Sequence, residues 1–150
     1  MRSAYRVIAR LVALGVVLQA SFVALGWFLT LNDIDGGQVV DKAFMEDEGW
    51  NIGLTLHSVV GLMVMPLLAL ILLIVSFFAK IPGGVKWAGF VLVAVVAQVV
   101  LALVSFSAPV LGALHGINAF IVLGTAEFAA RRVSADAVLT TPSTREAAAV

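Results

Sequence analysis

Cysteine is absent from the chain, which excludes disulfides, thiolate metal sites and cysteine nucleophiles. Charge is scarce: 12% of the 150 residues are Asp, Glu, Lys or Arg, against about a quarter in soluble domains. The net charge is zero, so the charge balance gives no pointer to nucleic acid, and no such partner is expected. What fills the sequence is apolar, with 62% hydrophobic residues and a mean hydropathy of +1.11. A soluble domain of this size does not carry that composition, and membrane lipid is the expected surroundings.

Four apolar stretches stand out: Tyr5–Leu31, Ile52–Ala79, Val85–Phe106 and Pro109–Ala129. Each reaches the ~20 residues that cross ~30 Å of hydrocarbon as a helix. Backbone groups in lipid must be satisfied internally, so helices are the form such runs take. The first run has a basic start like a signal peptide. It exceeds a signal-peptide core, and no clear A-x-A site follows, so a retained helix is expected. The fold class is therefore all-α, a polytopic membrane four-helix bundle. One domain over residues 1–132 is expected, followed by a mobile cytoplasmic tail over 133–150.

Orientation follows from the basic residues. Arg2, Arg6 and Arg10, then Lys80 and Lys86, then Arg131, Arg132 and Arg145 all fall on one side; Lys42 alone falls on the other. The positive-inside rule makes the first side cytoplasmic, with both termini there, in a plasma membrane of the bacterial inner-membrane type. The first outer loop is acidic, with Asp33, Asp35, Asp41, Glu46, Asp47 and Glu48. It reads first as a solvated connection, and second as a dock for a basic electron carrier or a cation site.

Local punctuation places the helix ends. Asn51 is a plausible N-cap for the second helix, and Ser107 with Pro109 the N-cap and first turn of the fourth. Ile81-Pro82-Gly83-Gly84 makes a tight turn beside Trp87, an interfacial anchor. Pro66 is expected to kink the second helix. Glu127 and Arg131 form an ordinary helix-face pair.

The second half of the chain repeats the first. The run from Val12 to Ala20, which contains Gln19, resembles the run from Val91 to Val99, which contains Gln98. Leu56-His57-Ser58 lies against Leu114-His115-Gly116 in the same way. Each half is thus a helical hairpin with a Gln on its first helix and a His on its second. Two hairpins of equal orientation imply a pseudo-twofold axis along the membrane normal. His57 lies six residues past Asn51, and His115 six past Pro109, or ~9 Å below the outer helix ends. Gln19 and Gln98 reach the same layer from the opposite ends.

Ionisable residues inside a membrane are costly and usually functional, and imidazole is a common axial ligand of haem iron. His57 and His115 are therefore the candidate metal ligands of a haem b. Gly53 and Gly61 flank the first, and Gly112 and Gly116 the second, which would let a porphyrin lie near the backbone. Gln19 and Gln98 would fix the imidazole tautomers or meet the haem edge. The same glycines also suit close helix packing, Gly112–Gly116 being a G-x-x-x-G, and His with Gln can be interhelical glue or part of a proton path. A cofactor-free accessory subunit of a larger membrane, respiratory-type complex is the alternative reading.

At His57 and His115 the chain resembles one half of the haem A synthase family. That family is built of two similar four-helix bundles, each with a His on its second and fourth helices near the outer face. The resemblance covers nearly all of residues 5–132, and extends loosely to other bis-His membrane cytochromes b. Ser58 stands where an Arg often follows the first His, and the loop has no cysteine pair. What the resemblance implies is a single haem b-type site serving electron transfer or haem handling, with a redox partner or larger membrane complex. A functional carboxylate in the first outer loop would fall at Glu46 or Glu48.

Overall fold

The computed structural model describes residues 1–46 and 51–140, with side chains described to residue 133. Asp47, Glu48 and Trp50 of the acidic loop, and the tail beyond 140, lie outside the described residues. The regular structure among the described residues is helical throughout. Helix α1 is Arg2–Asp35, followed by a short α2 (Lys42–Glu46) whose first turn is capped by the Asp41 carboxylate accepting from Phe44 N–H at 2.9 Å. The second span is α3 (Ile52–Val59), a π turn (Val60–Val64) and α4 (Met65–Ala79). The third is α5 (Gly84–Ser105); the fourth is a 3-10 turn (Pro109–Leu111) leading into α6 (Gly112–Thr140). All four spans are long and apolar enough to cross a membrane.

Helix α1 packs on α3, α4 and α6, and α5 packs on α4 and α6, so the four spans close into a ring in chain order. The buried stripes recur at three- and four-residue spacing: Tyr5, Ala9 and Val12 on α1, Ala69 and Leu72 on α4, Val91 and Val95 on α5, Val122, Ala126 and Ala129 on α6. Apolar association cannot drive this packing in lipid, so close contact between small side chains carries it. The abundant alanine on α6 serves that purpose. Large residues such as Phe77, Phe78, Phe106 and Phe120 point outward, as a lipid-facing surface requires.

This core fills only the half of the bundle that contains the N-terminus. Beyond Val95, α5 contributes no buried residue, and α6 contributes none before Val122. In the other half α3 lies against α1, and neither α5 nor α6 packs closely on it. The α1–α3 contact is backbone on backbone: a Cβ on Gly53 would run into Gly26 N and would stand 2.6 Å from Gly26 Cα and 2.7 Å from the Phe22 carbonyl.

Polar bonds tie both ends of α1 to the rest. At one end the buried Tyr5 hydroxyl donates to the Gly84 carbonyl at 2.9 Å, where the left-handed Lys80 (φ 50°) and Gly83 (φ 72°) turn the chain. At the other, Asn51 is only 1% exposed. Its side-chain oxygen caps α3 at Leu54 N–H (3.2 Å), and its amide donates to Gly26 O (2.6 Å) and Thr30 Oγ1 (2.8 Å). The N-cap expected of Asn51 is therefore present, and it also clamps α1.

Two local expectations are revised and one gains detail. A π turn over Val60–Val64 lies just before Pro66: lacking an N–H, the proline leaves the Leu62 carbonyl without its usual partner, and the widened turn takes up the defect. Ser107 does not cap the fourth span. Ala108 takes the cap position without a side-chain bond, because the chain enters through a 3-10 turn closed by Leu111 N–H on Ala108 O at 2.9 Å. Helix α6 continues past the boundary drawn at 132, to Thr140; no Gly or Pro interrupts the sequence before Pro142.

The backbone contact at Gly26–Gly53 has a direct test. Gly53→Ala should lower unfolding free energy in micelles by about 1–3 kcal/mol through overpacking. Gly116→Ala should leave it unchanged, since nothing lies within 4 Å of the position a Cβ would take. Unfolding monitored by circular dichroism measures both.

Candidate functional site

His57 is on α3 and His115 on α6, diagonally across the ring of helices. Both are half-buried. Their ring centroids are 6.2 Å apart and their planes are inclined by 71°. The pairing expected from matched depth in the two hairpins is thus realised in space.

Each imidazole is held in the same way. His57 Nδ1 lies 3.2 Å from the Gln19 backbone carbonyl, and His115 Nδ1 lies 3.0 Å from the Gln98 backbone carbonyl. A carbonyl only accepts, so each Nδ1 carries the proton and donates it. Each Nε2 then keeps its lone pair, the state in which a neutral imidazole ligates a metal. Gln19 and Gln98 therefore set the tautomers, as the sequence suggests, but through their backbone carbonyls rather than their side chains. The repeat seen in the sequence is here a repeated hydrogen bond.

The side chains of the two glutamines differ. The Gln98 amide donates to the His115 carbonyl at 2.9 Å and lies 3.1 Å from His115 Nε2, onto whose lone pair it donates. Its oxygen accepts from Asn118 Nδ2 at 2.7 Å, and Asn118 also donates to the Ala94 carbonyl at 2.8 Å. This network is closed. In the first hairpin Val60 stands at the position matching Asn118. There, Gln19 Nε2 and Oε1 are both shut off from solvent without a hydrogen-bond partner. No hydrogen bond reaches His57 Nε2 among the described residues.

The four flanking glycines separate into distinct roles. Gly61 faces the Gln19 amide, 3.4 Å from where its Cβ would stand. Gly53 is taken up by its contact with the α1 backbone, so helix packing, not a flat ligand, accounts for it. Gly112 has only Ser105 Oγ nearby, at 3.9 Å, and Gly116 faces open space. Around them the inward stripes of α5 and α6 continue through Gln98, Ala102, His115 and Ala119, yet these positions are only half-buried. The core ends where the histidines begin.

Asn118 is the site residue that the sequence reading missed. Its signal was present: it follows His115 by three residues and so shares its helix face. Among the described residues no group of three or more His, Asp or Glu side chains gathers as a metal site, so any metal chemistry here rests on the imidazole pair.

Removing Asn118 should expose the difference between the hairpins. Asn118→Val makes the second hairpin like the first and deletes two hydrogen bonds within the membrane span. A loss of about 1–2 kcal/mol is expected, measured by denaturant unfolding in micelles, whereas Val60→Ala should cost less than that. Compared with family models, curated proteins and solved structures, the chain matches none, so a functional reading rests on these residues and their geometry.

Proposed function

We propose that this protein binds a single haem b, with His57 and His115 as its axial ligands. The observation that carries this reading is the matched pair of Nδ1–H bonds to Gln19 and Gln98, which leaves each Nε2 unprotonated, unpartnered on His57 among the described residues and accepting from the Gln98 amide on His115, on rings 6.2 Å apart. Two metal–nitrogen bonds of about 2 Å each, plus the half-widths of two imidazoles, come to about 6 Å. The 71° inclination of the rings would not keep His57 and His115 from holding one iron between them.

The surroundings fit a flat macrocycle in two further respects. Interior positions beside the imidazoles are half-buried where the rest of the bundle is closed. The orphaned Gln19 amide, buried against Gly61, has a donor and an acceptor unused and could serve the polar edge of the ring. A bound haem supplies one-electron iron chemistry. The protein's own contribution is to orient both imidazoles through their carbonyl partners and to exclude water with the apolar spans. On binding, the Gln98 amide would leave His115 Nε2 while Asn118 keeps hold of its oxygen.

On this reading the protein moves electrons or handles haem in a bacterial-type plasma membrane, with both termini in the cytoplasm. A redox partner or a larger membrane complex completes the path. A second reading is favoured by one observation, the closed Gln98–His115–Asn118 network, which needs no cofactor to be satisfied. In that case the chain is an accessory subunit glued by interhelical hydrogen bonds.

Reduced-minus-oxidised spectra of the purified protein from haem-replete cells decide between them. A low-spin haem b spectrum is expected from the wild type, and His57→Ala or His115→Ala should each abolish or convert it, since one axial ligand is lost. Gln19→Ala keeps the carbonyl that orients His57 and removes only the amide, so it should weaken binding by no more than about 10-fold. A wild-type protein without a Soret band would favour the accessory subunit. Topology has a separate test: cysteine placed at position 40 should label from outside intact cells, and cysteine at position 83 only after permeabilisation. The reverse pattern would overturn the orientation.

A further inference from the structure

The end of the bundle opposite the histidines holds a second feature, a groove of about 590 Å³ along the outside of the α1–α6 contact. Its wall is apolar, with Leu11, Leu14 and Val17 from α1 and Leu123 from α6, and its charged residues are Arg10 and Glu127. The volume is that of a small-molecule site, but the groove opens sideways, onto the surface that faces lipid.

Its charges are out of balance. Glu127 is paired with Arg131 at 3.7 Å, and no acid lies within ion-pair distance of Arg10 among the described residues. Arg6, one turn nearer the terminus on the same face of α1, has its Nε shut off from solvent without an acceptor. The Tyr5–Gly84 bond sets α1 against the start of α5, so Arg10, five residues further in, or about 7–8 Å, stands near the level of Trp87. Its side chain is exposed there, at the boundary where a lipid phosphate can meet a cation.

We propose that this groove binds an anionic phospholipid of the leaflet on the N-terminal side. Its phosphate accepts from Arg10 and Arg6, and an acyl chain lies along Leu11, Leu14, Val17 and Leu123. Arg10 and its neighbour Arg6, against a Glu127 already paired with Arg131, select a lipid with net negative charge over a zwitterionic one. Free phosphate would meet the same arginines but leave the apolar wall uncovered.

The test uses the full chain in nanodiscs, apart from any haem. Thermal unfolding and native mass spectrometry are compared in phosphatidylcholine alone, in phosphatidylcholine with phosphatidylglycerol, and in phosphatidylcholine with inorganic phosphate. Phosphatidylglycerol should raise the unfolding temperature and remain bound after delipidation; phosphate should do neither. Arg6→Gln and Arg10→Gln should each weaken retention roughly fivefold. Arg10→Lys should keep most of it, and Lys86→Gln, on α5 away from the groove, should change nothing. If Arg10→Gln does not fold, Leu123→Trp, which fills the groove and keeps every charge, must still release the lipid. Equal retention by the arginine variants, equal loss in Lys86→Gln, or full replacement of the effect by phosphate would each overturn the proposal.

Discussion

Water is absent from the hydrocarbon that these four spans are built to cross, so a polar group there must be satisfied by the protein, the lipid or a ligand. That constraint organises the molecule. It accounts for Asn51 meeting a helix cap and a neighbouring helix at once, for Tyr5 reaching the first carbonyl of α5, and for both imidazoles being turned toward main-chain oxygens. The same constraint gives weight to the exceptions. The Gln19 amide, the Arg6 Nε and the Arg132 Nε are the buried side-chain atoms that find no hydrogen-bond partner among the described residues; the first lies near the histidines, the other two at the opposite end of the bundle, where Arg132 rests on the rings of Trp87 and Phe128.

The near-repeat of the hairpins sets the histidines face to face, and the departures from it give them unequal surroundings. His115 is locked by an amide that Asn118 holds in place, whereas His57 rests on one carbonyl beside an unpartnered glutamine. A pseudosymmetric scaffold of this kind presents two equivalent ligand atoms while leaving one side more rigid than the other. The rigid side keeps its geometry with or without a ligand, and the other retains the freedom to adjust to one.

Much of this was legible in the sequence. The number of spans, the turn at Gly83, the Asn51 cap and the common depth of Gln19, His57, Gln98 and His115 follow from helical rise and composition. What could not be read was how the residues meet. The carbonyl bonds depend on helix rotation to within a fraction of a turn, which spacing alone does not set, so spacing names Gln19 and Gln98 without naming the atoms that meet the imidazoles. Gly53 was ambiguous for a related reason, since a glycine that admits a ligand and one that admits a helix look alike until the neighbour, here Gly26, is located. Ser107 failed as a cap because the chain there enters a 3-10 turn, whose geometry gives no local composition signal distinct from an α start.

The π turn at Val60–Val64 divides the second span into two parts with different obligations. Above it, α3 answers to α1 through Gly26, Asn51 and the Gln19 carbonyl; below it, α4 answers to the alanine-rich core through Ala69 and Leu72. A continuous α-helix would force a single rotation to satisfy both. One widened turn decouples them, so a change in core packing that twists α4 is absorbed before it reaches His57. In phylogenetic terms the core and the histidine layer are then free to drift separately, and a chain with one residue fewer within 60–64 and no proline at position 66, which would form a regular helix, would couple their fates again.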